Sequence, residues 1–150
     1  MKVFVTVGTT KFEKLIEKIC EKEFQDDQNC EKLTVQYGKS KRPKITIASE
    51  VYDYKPSIKV DLREADVIIS AGGSGTILES LELQKNIIVV VNTDLMDNHQ
   101  QELVDQLVKD GYIVSCSLDG LQDGFKKKQS KKWESGDNRA VLDIIDQLMK

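Results

Sequence analysis

Three glycines fall within four residues in the stretch SAGGSGTILES, residues 70–80, although the 150-residue chain contains only nine glycines. Thr76 and Glu79 follow, three residues apart, at the start of a helical apolar pattern. A glycine has no Cβ, so its backbone can approach a phosphate oxygen closely. The free N–H groups and the positive dipole at a helix N-terminus attract such an anion. Residues 72–76 are therefore predicted to form a phosphate-binding turn.

Two further turns have the same position between a strand pattern and a helix pattern. One is Gly8-Thr9-Thr10 in the segment VGTT, and the other is residues 92–100. Neither they nor residues 72–76 match a known phosphate motif, because the chain has no Gly-Lys-Ser/Thr and no G-x-G-x-x-G. A P-loop is excluded on this ground, and binding of NAD is poorly supported.

A purely structural interpretation exists for each of these turns. Glycines between a strand and a helix can serve close packing alone. Three residue pairs have the spacing of a capping box, in which two side chains satisfy the first N–H groups of a helix. These pairs are Thr10 with Glu13, Thr76 with Glu79, and Asp97 with Gln100. The combination of three such turns favours a ligand over caps alone, provided that the fold brings the turns together.

The surrounding elements are predicted to do so. Apolar strand patterns cover residues 2–7, 32–38, 43–49, 65–70, 86–92 and 112–115. Helical patterns follow Phe12, begin near Pro56, follow the glycine turn, and place Leu103, Val104, Leu107 and Val108 on one stripe that Gly111 ends. Alternating strands and helices predict a doubly wound, mostly parallel α/β sheet with helices on both faces. Ligands bind such sheets at the carboxyl ends of the strands, where all three turns lie.

Length and composition limit the function classes. The length of 150 residues suggests one domain, residues 1–150. A net charge of −3 and a pI of about 5.3 disfavour a dedicated nucleic-acid binder, so no nucleic-acid partner is expected. The three cysteines have no metal-ligand spacing, which favours a reducing cytosolic compartment and structural thiols. No apolar stretch reaches the ~18 residues of a membrane span, and the first apolar run is too short for a signal peptide.

The segments ADVIISAGGSGTILESLE and VVVNTDLMDNHQQELVDQL, with VGTT near the start, resemble one family at the correct separation. It is the catalytic subunit of the UDP-N-acetylglucosamine transferase that adds the second sugar to dolichol-linked glycan precursors, and the resemblance runs from residue 1 to about residue 111. It implies a Rossmann-like fold, the donor-binding half of a GT-B glycosyltransferase. It also implies a separate membrane-anchored subunit that binds the lipid-linked sugar acceptor, N-acetylglucosaminyl-diphosphodolichol. Such a chain is cytoplasmic and is recruited by that subunit to the cytosolic face of the endoplasmic reticulum.

The resemblance also implies roles for individual residues in binding UDP-N-acetylglucosamine. Glu79 matches the glutamate that holds the ribose hydroxyls. Two glycine turns match the segments around the diphosphate, and they comprise Gly8, Thr9, Thr10, Gly73, Ser74, Gly75 and Thr76. Asn98, His99 and Gln100 match positions that meet the donor sugar and phosphate, and Tyr54 and Lys55 match the segment beside the uracil. Family members often have a histidine at the position of Ala71, so no histidine role is assigned there.

The chemistry that this family performs needs stabilisation of the leaving diphosphate and a base for the acceptor hydroxyl. Backbone amides at helix N-termini supply the first, and because no Asp-x-Asp motif is present, neither a bound metal nor a cofactor is expected. His99 is the only histidine and is a candidate general base by its ordinary pKa. The base of GT-B enzymes usually comes from the acceptor half, so a role for His99 in positioning the donor or the helix start is preferred.

Two alternatives remain open at this point. The chain could be a nucleotide-binding regulatory module without catalysis of its own, or a subunit of a bacterial exopolysaccharide glycosyltransferase. Two segments near the end have separate predictions. Residues 125–136 are basic and are expected to be a mobile, solvated segment, with an anionic membrane surface as the alternative. Residues 137–150 are expected to form a helix that is apolar on two sides and contacts the partner subunit.

Overall fold

The computed structural model describes residues 1–27, 30–45, 47, 49–71, 73–91, 98–127 and 133. Its described part contains one sheet of six strands in the order β3-β2-β1-β4-β5-β6. The strands are β1 (Lys2–Thr6), β2 (Lys32–Gln36), β3 (Ser49–Tyr52), β4 (Val67–Ser70), β5 (Asn86–Val90) and β6 (Val114–Cys116). Every neighbouring pair is parallel. The predicted doubly wound, Rossmann-like topology is confirmed.

Helices cover both faces of this sheet, because the central strands place apolar side chains on both faces. The helices are α1 (Glu13–Ile19), α2 (Lys22–Asp27), α3 (Lys59–Glu64), α4 (Ser74–Glu82), α5 (Asn98–Lys109) and α6 (Leu121–Lys126). In β1, Phe4 packs on the side of α3, α4 and α5, whereas Val3 and Val5 pack on the side of α1, α2 and α6. The central strands are therefore apolar on both sides, as is usual for parallel sheets.

The order of strands reverses between β1 and β4, and this switch point determines which loops meet. Thr6 at the end of β1 is the register partner of Ser70 at the end of β4. The N–H of Ala71 then donates to the carbonyl oxygen of Thr6 at 3.2 Å. The chain leaves β1 toward one face and β4 toward the other, which opens a crevice at the carboxyl edge of the sheet. The turn after β1 and the glycine turn after β4 flank this crevice.

The third strand lies later in the chain than predicted. Residues 43–49 were expected to pair, but β3 begins at Ser49 and residues 41–45 have no regular secondary structure. Pro43 lacks the N–H that a ladder needs. The alternation at Ile45 and Ile47 has another cause, since both side chains pack against the core on the α1 side as the connection crosses that face.

Smaller differences concern the helices and the last strand. The helix near Pro56 begins only at Lys59, with Ile58 as its N-cap residue. Val108 is 40% exposed, so the inward stripe of α5 is Leu103, Val104 and Leu107. The last strand begins at Val114, two residues later than predicted. The short helices α2 and α6 were not predicted.

The basic segment, residues 125–136, is packed at both of its described ends. Phe125 belongs to α6 and contacts Phe24 at 5.5 Å between ring centroids, and Trp133 is buried against Tyr112 at 5.1 Å. Residues 128–132 and the predicted helix at residues 137–150 lie outside the described residues. Among the helices that the structure does describe, none has the length and apolar character needed to cross a membrane.

Candidate functional site

Helix α4 begins at the switch point without a side-chain cap. Its N-cap residue is Gly73, in an extended conformation, and the first intrahelical bond runs from the N–H of Ile77 to the carbonyl oxygen of Gly73 at 3.1 Å. The N–H groups of Ser74, Gly75 and Thr76 therefore have no partner within the helix. The predicted capping box of Thr76 with Glu79 is wrong, because the helix starts two residues before Thr76.

The glycines of this turn are not explained by packing. A Cβ built on Gly75 would have no atom within 4 Å, and one built on Gly73 would meet only the Thr76 Oγ1 atom at 4.0 Å. Neither glycine has a positive φ. The protein itself would accept alanine at both positions. Glycine leaves open space beside the first turn of α4, and the amides of such a turn are suited to an anion.

Glu79 lies in α4 between this turn and the end of the helix. Its side chain is half-buried, and within the described part of the chain its carboxylate has no hydrogen-bond or ion-pair partner. Because the capping box does not form, the carboxylate is not used in starting the helix. It is therefore available to accept hydrogen bonds from a ligand.

The turn after β1 is largely closed on itself. The N–H of Gly8, which has a φ of +64°, donates to the Thr6 hydroxyl at 3.0 Å, and the Thr10 hydroxyl donates to the carbonyl oxygen of Val7 at 2.7 Å. Thr9 is exposed at its tip. Helix α1 begins three residues after Thr10, so this turn borders the crevice but does not itself form a helix N-terminus, contrary to the prediction.

Gly38, which was not predicted to have a role, holds the turn after β1 in place. Gly38 follows β2 with a φ of +56°, and a Cβ there would lie 2.4 Å from the carbonyl oxygen of Thr10 and 2.7 Å from that of Gly8. The N–H of Lys39 donates to the same Thr10 oxygen at 2.9 Å. Below this contact, the buried hydroxyl of Thr6 donates to the Gln36 amide oxygen. The only signal in the sequence was a glycine at the end of the strand pattern of residues 32–38.

The loop after β1 also lacks its predicted capping box. The N-cap residue of α1 is Phe12, and its N–H donates to the buried Ser40 hydroxyl at 2.8 Å. The Glu13 carboxylate accepts the N–H of Lys41 at 2.8 Å. The loop after β2 therefore caps α1 from outside, a contact between distant segments that spacing along the chain cannot show.

Tyr54 and Lys55 lie after β3 on the same edge, but their side chains differ in availability. Tyr54 is 59% exposed. The Lys55 ammonium lies 2.8 Å from the Glu50 carboxylate, 3.4 Å from that of Asp61 and 4.1 Å from the Tyr52 ring centroid. The hydrogen bond to Glu50, with Asp61 nearby, raises the pKa of Lys55. Tyr54 is thus free to meet a ligand, whereas Lys55 already has partners.

The Tyr52 hydroxyl donates to the Asp61 carboxylate beneath this pair. Burial, followed by the Asp61 carboxylate, raises the pKa of Tyr52 above its ordinary value. Because β3 lies two strands from β1, the loop of Tyr54 is roughly 10 Å from the turn after β1, at about 4.8 Å per strand. The loop is therefore at one end of the edge and the uncapped helix α4 is at the centre.

The predicted residues near the start of α5 are only partly described. Asn98 and His99 belong to the first turn of that helix by their backbone, while their side chains and residues 92–97 lie outside the described part. Gln100 is half-buried in the same turn. Within the described ranges, no group of three His, Cys, Asp or Glu side chains is placed to hold a metal ion.

Comparison with known proteins agrees with this geometry. The family model described as glycosyltransferase family 28 C-terminal domain matches residues 2–148. A solution NMR structure of ALG13 superposes with a TM-score of 0.65 at 28% identity, covering 98% of this chain and 94% of that one. The calicheamicin glycosyltransferase CalG4 gives a TM-score of 0.65 at 13% identity, and the chain covers 39% of it.

Curated relatives share the name UDP-N-acetylglucosamine transferase subunit ALG13. The one from Yarrowia lipolytica is 33% identical over 139 residues, which is 85% of this chain and 70% of the relative. The one from Mus musculus is 40% identical over 124 residues, 77% of this chain, and the chain spans only 11% of its length. The chain therefore belongs to the glycosyltransferase family 28 C-terminal domain family, and within it to the UDP-N-acetylglucosamine transferase subunits.

Proposed function

We propose that this chain binds UDP-N-acetylglucosamine and transfers its sugar to N-acetylglucosaminyl-diphosphodolichol, together with a membrane-anchored subunit that binds the acceptor. The observation that carries the proposal is the pair of unused groups at the switch point. The first amides of α4 have no cap, and the Glu79 carboxylate has no partner among the described residues. A nucleoside diphosphate needs both an anion site and an acceptor for its ribose hydroxyls.

The amides of Ser74, Gly75 and Thr76 would hold the diphosphate. In the transfer, the acceptor hydroxyl attacks the anomeric carbon, and the bond from that carbon to the UDP oxygen breaks with its electron pair on the diphosphate. Negative charge therefore grows on the leaving group. Fixed N–H dipoles and the positive end of α4 stabilise that charge without having to reorganise. The space in front of Gly73 and Gly75 allows this close approach.

The same placement suggests which residues contact the other parts of the donor. Glu79 would accept hydrogen bonds from the two ribose hydroxyls, and Thr9 at the tip of the β1 turn would border the diphosphate. The exposed Tyr54 ring would lie beside the uracil. Asn98, His99 and Gln100, in the first turn of α5, would meet the donor sugar.

The proton of the acceptor hydroxyl requires a base, and the two candidates are His99 and a residue of the partner subunit. In the proposed enzyme the base comes from the partner subunit, and His99 positions the donor sugar. The partner would also bring this chain from the cytoplasm to the cytosolic face of the endoplasmic reticulum, where the lipid-linked acceptor is present. The relatives' shared name, a transferase subunit, supports an assembly of more than one chain.

Calorimetry on the full chain tests the donor class. We expect UDP-N-acetylglucosamine to bind more tightly than the GDP and ADP sugars. Glu79→Gln should weaken UDP binding by about 1.5–3 kcal/mol, because a charged acceptor for two hydroxyls becomes a neutral amide. Glu82→Gln, on the exposed end of the same helix, is the matched control and should bind as the parent does.

Two results would contradict the proposal. One is a parent chain that shows no preference for uridine among the nucleotides. The other is an equal loss of affinity in the Glu79 and Glu82 variants, which would mean that charge on α4 rather than contact at Glu79 affects binding.

A further inference from the structure

Four cationic side chains lie at the carboxyl edge of the sheet, beside the proposed donor site, and have no part in the proposed reaction. Lys39, Lys41 and Arg42 belong to the loop after β2, and Lys11 belongs to the loop after β1. All four side chains are exposed, and in the described part of the chain none of them forms a salt bridge. We call this group the basic rim.

The backbone beneath the basic rim is fixed, although none of its four side chains is paired with a carboxylate in the described part of the chain. Lys39 donates its N–H to the Thr10 carbonyl oxygen at 2.9 Å, and Lys41 donates its N–H to the Glu13 carboxylate at 2.8 Å. Between them Ser40 is buried and accepts the N–H of Phe12 at 2.8 Å. Adjacent loops with this many mutual bonds hold their four cations on one surface.

The charge of the basic rim contrasts with that of the whole molecule. The chain has a net charge of −3, yet this surface carries four positive charges. Glu13 is the acidic side chain bonded within it, and that carboxylate is occupied by the backbone N–H of Lys41. The Arg42 guanidinium lies 6.0 Å from the Tyr37 ring centroid, a contact that leaves its positive charge uncompensated.

We propose that the basic rim binds the anionic headgroups of a lipid bilayer. The four side chains are long, spread over two loops and directed into solvent, which suits a broad surface of phosphates and carboxylates. Each Lys or Arg near an anionic bilayer contributes about 1 kcal/mol, so four act together where one would be too weak. The rim lies on the carboxyl edge of the sheet, so binding there would bring the donor crevice close to the headgroups.

Vesicle sedimentation with the full chain tests this inference. The vesicles contain phosphatidylcholine alone or phosphatidylcholine mixed with phosphatidylserine. The rim variant carries Lys11→Gln, Lys39→Gln, Lys41→Gln and Arg42→Gln. The control variant carries Lys2→Gln, Lys22→Gln, Lys59→Gln and Lys109→Gln, which lowers the net charge equally at exposed sites outside the rim and outside residues 125–136.

We expect the parent and the control variant to sediment with the phosphatidylserine vesicles and to be released by salt. The rim variant should lose affinity by about fivefold for each cation removed. The expected affinity for UDP-N-acetylglucosamine is equal in all three proteins, because no rim residue is placed in the donor site. Unfolding in urea verifies that the rim variant is folded.

Several outcomes would overturn the inference. These are no binding of the parent at low salt, equal binding of the parent and the rim variant, and an equal loss in the control variant. Rim-dependent binding of inorganic pyrophosphate without binding to vesicles would also overturn it, because the ligand would then be a free diphosphate. A chain that binds vesicles through the rim but binds no UDP sugar would refute the proposed function and leave this inference standing.

Discussion

Single glycines have three different physical functions in this molecule. At Gly38 the backbone has a φ of +56°, and a neighbouring carbonyl oxygen occupies the place of a Cβ. At Gly8 the φ of +64° is the requirement, since the space beside it is empty. At Gly75 neither reason applies. Only the third kind indicates a ligand, and the sequence alone cannot distinguish it from the other two.

Substitution of two glycines by alanine separates these functions. Gly75→Ala should leave the free energy of unfolding unchanged or raise it by at most about 1 kcal/mol, because alanine favours helix over glycine. Its affinity for UDP should nevertheless fall, because the added methyl group occupies the space in front of the amides. Urea unfolding and calorimetry measure the two effects.

Gly38→Ala is the contrasting variant. It should lower the free energy of unfolding, since a Cβ at 2.4 Å from the Thr10 carbonyl oxygen forces the two loops apart. If Gly75→Ala destabilised the fold as much as Gly38→Ala does, the glycine at residue 75 would be a packing residue after all.

At the scale of elements, the N-termini of helices α1 and α4 have different surroundings. Neither N-cap residue makes a side-chain cap, but at α1 the buried Ser40 hydroxyl of the loop after β2 accepts the N–H of the N-cap residue Phe12, and the described residues place no such hydroxyl at α4. An uncapped N-terminus at the switch point leaves its amides for a ligand. At α1 the bond from Phe12 to Ser40 instead joins two loops and stabilises the edge on which the proposed site lies.

Ser40→Ala should therefore be strongly destabilising for a serine substitution. The N–H of Phe12 would be left without a partner in a buried position, at a cost of about 1–3 kcal/mol. Ser57→Ala is the control, because Ser57 accepts the N–H of Lys59 at 3.3 Å in an exposed position, where water replaces it at about 0.5 kcal/mol. Equal losses of unfolding free energy in the two variants would show that the buried hydrogen bond from Phe12 to Ser40 contributes no more than an exposed one.

The contact of Tyr52 with Asp61 connects β3 to α3 and makes stability depend on pH. The pKa of Tyr52 is raised in the folded chain, so the folded state holds the phenol proton more tightly than the unfolded state does. This contribution is complete below pH ~10, the ordinary tyrosine value, and is lost as the pH rises above it. Above that pH the free energy of unfolding should fall, by at most about 1.4 kcal/mol per pH unit from this residue.

Tyr52→Phe should make this alkaline decrease less steep, whereas Tyr54→Phe should not, because Tyr54 is exposed and has no carboxylate partner for its hydroxyl among the described residues. Urea unfolding between pH 8 and about 11 measures the slopes. Identical slopes in the parent and the Tyr52 variant would mean that the phenol of Tyr52 is not held by Asp61 in solution.

The order of elements was predictable from the sequence because the apolar alternation of a parallel strand and the stripe of a helix are local patterns. The contacts that close the site were not, because they join distant segments. Ser40 caps Phe12 from 28 residues away, and the Tyr52 hydroxyl meets Asp61 across a loop. The strand pattern at Ile45 and Ile47 was misleading because a crossing loop buries the same side chains. Gly75 and Glu79 were predicted as site residues from the glycine spacing and the family resemblance, but the sequence also allowed a capping box of Thr76 with Glu79, which only the structure removes.

At the scale of the whole molecule, the fold of this chain occurs both as one part of a larger protein and as nearly the whole of a smaller one. The chain covers 39% of CalG4 and 94% of the ALG13 solution structure. In the proposed assembly, the partner subunit lies opposite the carboxyl edge, where it would exclude water from the donor and supply the base and the acceptor site.

We therefore expect the purified chain to bind UDP-N-acetylglucosamine without transferring the sugar. Yeast membranes depleted of their own ALG13 would supply the proposed partner subunit, since the Saccharomyces cerevisiae UDP-N-acetylglucosamine transferase subunit ALG13 is 42% identical to this chain over 84 residues. Adding the chain should restore transfer of labelled sugar into a lipid-extractable product. Glu79→Gln should fail to restore it, and Glu82→Gln should restore it fully. Transfer by the purified chain to a detergent-solubilised acceptor, without membranes, would show that the site is complete within this chain and that no second body closes it.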